Sequence, residues 1–333
     1  MSFGQNGPAS RGPHTQSIWA VTAYFDAFQS GRRLLNYREF RRRLAVPLVA
    51  VELSFDGHFN LEASDADILI RVAAGSDSVM WQKERMLNLG LNALPPHVDA
   101  VAWLDSDVVF LREDWPVELC CQLKHFEMVQ PFSRLRYLNR DESPETIGSH
   151  SEDWFESVAY KQNRGELPES TFRRHGESQR LKYAPGMAWA ARRSTLAELG
   201  FYDAAILGTG DKLMFAAAQA RHHEVASATR MSPPQARHYT QWAEAFWKSI
   251  QGRISYVEGD LLHLWHGELI NRRYRERIRG LRDFHFDPDA DLARTPEGAW
   301  RWNSAKPAMH TYVREQIRQT QIDTIEEEVL ERR

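Results

Sequence analysis

Two aspartates separated by one residue carry the clearest chemical signal in this sequence. Asp105 and Asp107 stand in the segment WLDSDVVF, directly after the apolar residues 100–104. Alternate positions of an extended chain point the same way, so both carboxylates can converge on one hard divalent cation such as Mg²⁺ or Mn²⁺. Such triplets also decorate solvated turns, but a buried strand that ends in paired acids needs something to neutralise them. We therefore predict a metal site at Asp105 and Asp107.

Two histidines three positions apart form the second candidate ligand pair. His263 and His266 lie in the segment HLWHG, at the end of a predicted strand, residues 254–265. Imidazole nitrogen suits a borderline metal such as Mn²⁺. Regular strand geometry would send the two rings to opposite faces, whereas a turn at Gly267 would let both converge. One of the two can instead be a hydrogen-bonded core histidine, and the sequence does not decide which one would bind the metal.

A glycine-containing turn supplies a candidate general base. Gly208, Thr209, Gly210 and Asp211 come directly before a predicted helix. Glycine permits close approach of the backbone to a ligand, and a neighbouring carboxylate can accept the proton of an attacking hydroxyl. Asp211 is equally well suited to capping the helix, so both roles stay open.

Basic side chains near these acids are candidates for binding an anionic ligand. Lys83 and Arg85 fall on a predicted helix, residues 81–94, and would contact a diphosphate or a base. Arg273 follows the two histidines in a basic segment, residues 271–281, and would balance a pyrophosphate leaving group. Both segments also qualify as ordinary solvated helix faces.

The elements that must position these residues alternate between strands and helices. Apolar, β-rich segments predict strands at 17–25, 47–55, 66–72 and 100–104, with helices at 35–44 and 81–94. This alternation predicts an α/β domain of the Rossmann-like type, with a mixed, mostly parallel sheet flanked by helices. Ligands of such sheets lie beyond the carboxyl ends of the strands, which is where the two aspartates fall.

The remaining segments predict the domain organisation. Residues 1–16 are polar turn formers and predict a flexible tail, whereas residues 17–285 form the α/β domain. Within that domain, the polar segment 133–182 predicts an insertion or an acceptor-binding loop. Residues 286–333 predict a helical extension, whose sparse apolar positions, such as Val313 and Ile317, suit a surface or a partner better than a core. An oligomer through this helix is therefore possible.

Composition excludes several classes of protein. The 42 Lys and Arg against 45 Asp and Glu give a net charge of −3, so no global positive field favours nucleic acid. No run approaches the ~20 apolar residues of a membrane span, and no signal segment precedes the domain, which predicts a cytoplasmic protein. The two cysteines, Cys120 and Cys121, are adjacent and exclude a disulfide framework or a cysteine zinc site.

Taken in order, these motifs resemble the GT-A class of nucleotide-sugar glycosyltransferases, including its family 2. The match is closest to the β-1,4-galactosyltransferase type, in which a strand-end D-x-D precedes a GF…GWGGEDDD segment and a metal-binding histidine follows. The corresponding stretches here are residues 103–110, 200–211 and 263–266. The acidic run of that family is reduced to Asp211 followed by Lys212, and the segment 133–182 has no counterpart.

The resemblance implies an inverting, metal-dependent transfer of a sugar from a nucleoside-diphosphate sugar to an acceptor hydroxyl, with a UDP-sugar as the first candidate donor. Asp107 and a histidine would hold Mn²⁺ or Mg²⁺ on the diphosphate, and Asp105 would bridge the metal and the ribose. Asp211 would deprotonate the acceptor, which can be a glycan, a lipid, a protein or a small molecule.

Two other functions remain open from the sequence. A nucleotidyltransferase that makes sugar nucleotides uses a similar sheet and metal, but it would carry a Gly-rich, basic loop after the first strand. Residues 23–28 read AYFDAF here. A non-catalytic carbohydrate- or partner-binding protein on the same fold is the second alternative, since function resides in the site and not in the fold.

Overall fold

The protein is built around a seven-stranded sheet and a five-stranded sheet. The structure is a computed structural model, and it describes residues 17–26, 31–147, 154–173, 183–267, 278 and 280–319. The strands are β1 (Ile18–Phe25), β2 (Leu48–Ser54), β3 (Ile68–Ala73), β4 (Ala100–Leu104), β5 (Val108–Phe110), β6 (Met128–Gln130), β7 (Arg134–Tyr137), β8 (Phe155–Ser157), β9 (Tyr183–Ala184), β10 (Ala188–Arg192), β11 (Ile254–Tyr256), β12 (Asp260–His263), β13 (Leu292–Arg294) and β14 (Trp300–Trp302). The helices are α1 (Arg32–Arg43), α2 (Lys83–Ala93), α3 (Trp115–Gln122), α4 (Val158–Asn163), α5 (Arg193–Leu196), α6 (Gly210–Ala218), α7 (His222–Ala228), α8 (Pro233–Ile250), α9 (Pro288–Asp291) and α10 (Pro307–Gln319). The tail predicted at 1–16 lies outside the described residues.

The larger sheet is mostly parallel, as predicted. Its order is β11-β6-β10-β4-β1-β2-β3, and only β10 runs antiparallel to its neighbours, β4 and β6. All seven residues of β2 are buried, because helices cover both faces of a parallel sheet and its strands therefore need apolar side chains on both sides. The α/β class and the flanked sheet predicted from the sequence are confirmed.

Helices pack on both faces of this sheet. Ala20 and Val21 are neighbours on β1 and point to opposite faces, as successive strand residues must. Val21 packs in one core with Leu87 of α2, whereas Ala20 packs in another core with Tyr37 of α1 and Trp115 of α3. Burial of each large side chain stabilises the fold by roughly 1.5–3 kcal/mol.

Helix α2 approaches the sheet at a distance that only glycine allows. A Cβ atom at Gly90 would overlap Cγ1 of Val21 and would lie 3.3 Å from Cγ2 of Val51. The close packing fixes the start of α2, where Lys83 lies, relative to the end of β1.

The smaller sheet corrects two predictions. Its order is β5-β12-β7-β8-β9, so the segment 133–182, predicted as an insertion or loop, contributes β7 and β8 together with α4. The stretch from Ile254 to Trp265, predicted as one strand, is two strands. The first, β11, belongs to the larger sheet, whereas β12 belongs to the smaller one. Both halves are apolar, so hydrophobic pattern alone does not separate them.

The C-terminal helix packs in the core, so its predicted place on the surface or on a partner is wrong. Met309, Val313 and Ile317 of α10 are at most 1% exposed and belong to the same core as Val21. Their spacing of four residues places them on one face of the helix. The apolar stripe is therefore covered by the chain itself. Residues 320–333 lie outside the described residues.

Helix α8 is the longest of the described helices, and the sequence analysis does not predict it. The Ser232 hydroxyl accepts a hydrogen bond from the amide of Gln235 at 3.3 Å, and Pro233 stands at the first helical position, so both start signals are in the sequence. The Tyr239 hydroxyl donates to the Leu213 carbonyl at 2.7 Å and joins α8 to α6. Neither α8 nor another helix in the described ranges has the length and apolar character of a membrane span.

Candidate functional site

Two separate groups of ionisable side chains lie beyond the carboxyl end of β4. One group contains Asp107, and the other contains Asp105. The prediction that both carboxylates point the same way rests on extended backbone, but β4 ends at Leu104 and the chain turns before β5 begins at Val108. The two carboxylates therefore have different partners.

Asp107 lies beside the two predicted histidines. Nε2 of His263 is 3.7 Å from Oδ1 of Asp107, and Nε2 of His266 is 3.2 Å from Oδ2. Antiparallel pairing of β5 with β12 places His263 opposite Val108, and the Leu264 amide donates to the Asp107 carbonyl at 2.8 Å. Because β12 ends at His263, the chain turns before His266, and both imidazoles face the same carboxylate.

The three residues around this point fit a divalent metal ion. One ligand atom from each of Asp107, His263 and His266 lies within 4.8 Å of the others. One carboxylate oxygen and two imidazole nitrogens are a donor set suited to Mn²⁺ and similar ions. His263 is only 3% exposed, so its ring cannot swing away into solvent. Asp105, the fourth predicted ligand, is not part of this group.

Asp105 pairs with a buried lysine that also holds Asp211. Nζ of Lys83 lies 2.5 Å from Oδ1 of Asp105 and 2.9 Å from Oδ2 of Asp211. Lys83 is 8% exposed; burial alone would lower its pKa, but the two carboxylates outweigh burial and raise that pKa well above its ordinary value. Burial raises the pKa of Asp211, against the opposing effect of Lys83. Asp211 is therefore a stronger base than an exposed aspartate.

The turn before α6 aims Asp211 at this point. Gly208 and Thr209 have φ angles of 83° and 76°, both in the left-handed region, and α6 begins at the next residue. Gly210 is required there, because a Cβ atom would overlap the carboxyl group of Glu84. Asp211 then stands in the first turn of the helix. Left-handed non-glycine residues such as Thr209 cost roughly 1–3 kcal/mol and cluster at functional sites.

The loop between β9 and β10 closes the site from another side. A Cβ atom at Gly186 would lie 2.9 Å from Oδ2 of Asp211. Met187 has a φ of 78°, a second strained residue, and its carbonyl accepts from the Asp105 amide at 2.7 Å. Both aspartates are thus held by backbone geometry as well as by Lys83.

Glu84 is a site residue that the sequence analysis missed. It is 6% exposed and adjoins the turn before Asp211. Burial raises the pKa of Glu84 to about 8; Lys83 lowers it and Asp211 raises it further. Near neutral pH the carboxyl group is therefore largely protonated. Only its position beside Lys83 on α2 could have indicated this role.

Arg85 lies apart from the Asp105 group. Its Nε donates to the Gly298 carbonyl at 2.5 Å, its Nη1 lies 3.1 Å from Oδ2 of Asp203, and its guanidinium covers the Trp300 ring at 5.4 Å. These contacts fasten α2 to Asp203 and to the hairpin formed by β13 and β14. Arg273, the other predicted diphosphate-binding residue, lies outside the described residues.

Comparisons with known proteins find distant matches among solved structures. No family model and no curated protein matches the chain. Solved structures do match. The S. aureus TarS structure has a TM-score of 0.39 at 10% identity over 83% of this chain and 45% of TarS, so the chain spans less than half of that protein's length.

Two further structures carry bound nucleotide sugars. Glucosyl-3-phosphoglycerate synthase from Mycobacterium tuberculosis, with Mn²⁺, UDP-glucose and phosphoglyceric acid, has a TM-score of 0.38 at 12% identity over 87% of this chain and 88% of its own. Drosophila β1,4-galactosyltransferase 7, with manganese, UDP-Gal and xylobiose, has a TM-score of 0.30 at 11% identity over 61% and 60%. All three TM-scores are below 0.5, so the reaction is inferred from this chain's own residues.

Proposed function

We propose that the protein is a metal-dependent glycosyltransferase that transfers a sugar from a nucleoside-diphosphate sugar to an acceptor hydroxyl. A UDP-sugar is the first candidate for the donor. The observation that carries the proposal is the convergence of Asp107, His263 and His266 on one point. Asp105, two residues before Asp107, is held by Lys83 together with Asp211. A metal-ligand set beside a candidate base is the arrangement that this reaction needs.

The position of the site in the sheet supports the proposal. The chain leaves β1 for β2 on one side, and β4 returns to pair with β1 on the other side. In open α/β sheets, ligands bind in the crevice beyond the carboxyl ends of the strands at such a switch point. Asp105 follows β4 directly at this crevice, and Asp26 follows β1.

Each side chain has a separate task in the proposed reaction. Asp107, His263 and His266 would hold Mn²⁺ or Mg²⁺; the bound ion would neutralise the charge that builds on the departing nucleoside diphosphate. Asp211 accepts the proton of the acceptor hydroxyl as its oxygen forms a bond to the anomeric carbon and the bond from that carbon to the diphosphate oxygen breaks. Attack from the face opposite the leaving group inverts the anomeric centre.

Asp105 and Arg273 are assigned to the donor. Asp105 is assigned to the ribose, and Lys83 holds Asp105 and Asp211 through an ion pair with each. Arg273 remains a proposed contact of the diphosphate. Arg85 is assigned a structural role instead, since its guanidinium is engaged by Asp203 and Gly298.

The acceptor side is assigned to the segment 133–182. Strand β7 pairs with β12 in register, so that Tyr137 stands opposite His263, and the two rings are 5.0 Å apart. A residue of this segment thus borders the metal-ligand set directly. We expect the segment to contact the acceptor, whether that is a glycan, a lipid, a protein or a small molecule.

A thermal-shift panel tests the proposal. Wild type and Asp107→Ala are heated with UDP, GDP, CDP or ADP, each with Mn²⁺ or with EDTA, and an exposed carboxylate variant, Asp114→Ala, is the matched control. A nucleotide at about 100 times its Kd stabilises the folded state by roughly 2.7 kcal/mol, which is measurable. We expect one nucleotide to stabilise wild type and the control only with Mn²⁺, and Asp107→Ala not at all.

The thermal-shift panel and an assay of released products separate the alternatives. If no nucleotide stabilises the wild type under any condition, the proposed enzyme activity is wrong and the protein is better described as a binding protein on this fold. If a nucleoside triphosphate with a sugar phosphate releases pyrophosphate, the nucleotidyltransferase is correct instead. Release of nucleoside diphosphate from a nucleotide sugar supports the transferase.

A further inference from the structure

A second group of metal-binding side chains lies on the helical layer, outside the candidate active site. Helix α7 begins with His222 and His223, and it packs against α8, which carries Glu244. One ligand atom from each of these three residues lies within 4.8 Å of the others. We propose that His222, His223 and Glu244 bind a Zn²⁺ ion that tethers α7 to α8.

The buried histidine gives independent support for a ligand. His222 is 7% exposed, and its Nδ1 atom is buried without a hydrogen-bond partner among the described residues. Buried polar atoms in folded proteins are nearly always satisfied, so such an atom calls for an explanation. The rings of His222 and His223 lie 4.4 Å apart, although they belong to successive residues, so both can face one point.

The ligand atoms, and the mobility of the two exposed side chains that carry two of them, favour zinc. Two imidazole nitrogens and one carboxylate oxygen are common zinc ligands, and a water molecule completes a tetrahedron. Ligand atoms that each lie about 2.0–2.2 Å from the ion are roughly 3.3 Å from one another. The three side chains must therefore move closer together when the ion binds. His223 and Glu244 are exposed, so their side chains can close this gap without repacking the core around His222. Arg237 lines the same surface depression as His223 and Glu244.

The position of this site predicts an effect on stability rather than on chemistry. Helix α8 is joined to α6 through Tyr239 and Leu213, and Asp211 stands at the end of α6 that is remote from α7. Tethering α7 to α8 therefore reinforces the support of α6 without contacting the proposed reacting groups.

Zinc titration of the untagged, metal-free protein tests the proposal. Asp107→Ala removes a ligand of the candidate active site and weakens zinc binding there, so calorimetric titration of this variant is the background against which the second site is measured. We expect Asp107→Ala to bind one Zn²⁺ and to gain thermal stability on binding. Addition of His223→Ala or of Glu244→Gln, both at exposed positions, should weaken binding at least tenfold and remove the gain.

The matched control is His58→Ala, an exposed histidine elsewhere in the chain, which should bind zinc as the Asp107→Ala background does. The proposal is overturned if Asp107→Ala binds no zinc, or if zinc affinity is unchanged by His223→Ala and Glu244→Gln together. Either result leaves the proposed transferase activity untouched, because that activity is tested at Asp107 with nucleotides.

Discussion

Nζ of Lys83 lies 2.9 Å from Oδ2 of Asp211, although 128 residues separate the two along the chain. The same ammonium group lies 2.5 Å from Asp105, so one buried cation holds the start of α6 against the end of β4. Loss of either partner of a buried ion pair leaves an uncompensated charge. The geometry of the proposed base and of the proposed ribose contact therefore depends on one side chain from α2.

Lys83→Met should lower both stability and transfer. The two carboxylates would face each other without a cation, so we expect a loss of about 3–5 kcal/mol of unfolding free energy. Urea unfolding and kcat/KM across a pH series measure the two effects. Lys124→Met, at an exposed lysine, is the control and should change neither. Wild-type stability in Lys83→Met would contradict the assigned role.

Asp211→Asn should abolish transfer and leave donor binding intact. Loss of a general base costs typically 10²–10⁴-fold in rate. Asn has nearly the same shape as Asp but cannot accept the proton, and the N-cap of α6 is Thr209, so the substitution leaves the cap residue unchanged. Product formation and the nucleotide thermal shift are measured together. A variant that still transfers sugar at the wild-type rate would exclude Asp211 as the base.

The stability of the protein should fall between about pH 5 and pH 8 because of Glu84. Burial raises the pKa of Glu84 from 4.5 to about 8 in the folded state. In this window the folded protein keeps a proton that the unfolded chain releases, so stability falls with pH by up to about 1.4 kcal/mol per unit.

Glu84→Gln tests this pH dependence, since glutamine resembles the protonated acid but does not titrate. We expect variant and wild type to unfold at similar urea concentrations at pH 5, and the variant to be more stable by at least about 1 kcal/mol at pH 8. Glu315→Gln, at an exposed glutamate, should follow the wild type. Parallel pH profiles for Glu84→Gln and wild type would rule out the buried proton.

Ile317→Ala should destabilise the protein although it lies near the C-terminus. Ile317 is 1% exposed in the main core, and removal of such a side chain costs about 2–5 kcal/mol. Glu315→Ala, on the exposed face of the same helix, should cost far less. Urea unfolding of both variants makes the comparison. Equal midpoints would mean that α10 does not pack on the core in solution.

The local sequence pattern was sufficient to predict the strands and helices that hold the site. The apolar run of β2 and the alternation of strands with α1 and α2 predict a parallel sheet, because both faces of such a sheet are covered by helices. The same pattern places Asp105 at the carboxyl end of β4. It was not sufficient for Val313 and Ile317, since sparse apolar positions on a polar helix do not show what surface will cover them.

The sequence by itself determined which side chains are available and which strand ends carry them, since both depend on residue types close together in the chain. Only the tertiary structure decided which of them meet. Pairing of β5 with β12 brings His263 to Asp107, while packing of α2 on the sheet brings Lys83 to Asp211. These contacts join distant segments, and they follow from the fit of whole surfaces rather than from the propensity of any one segment.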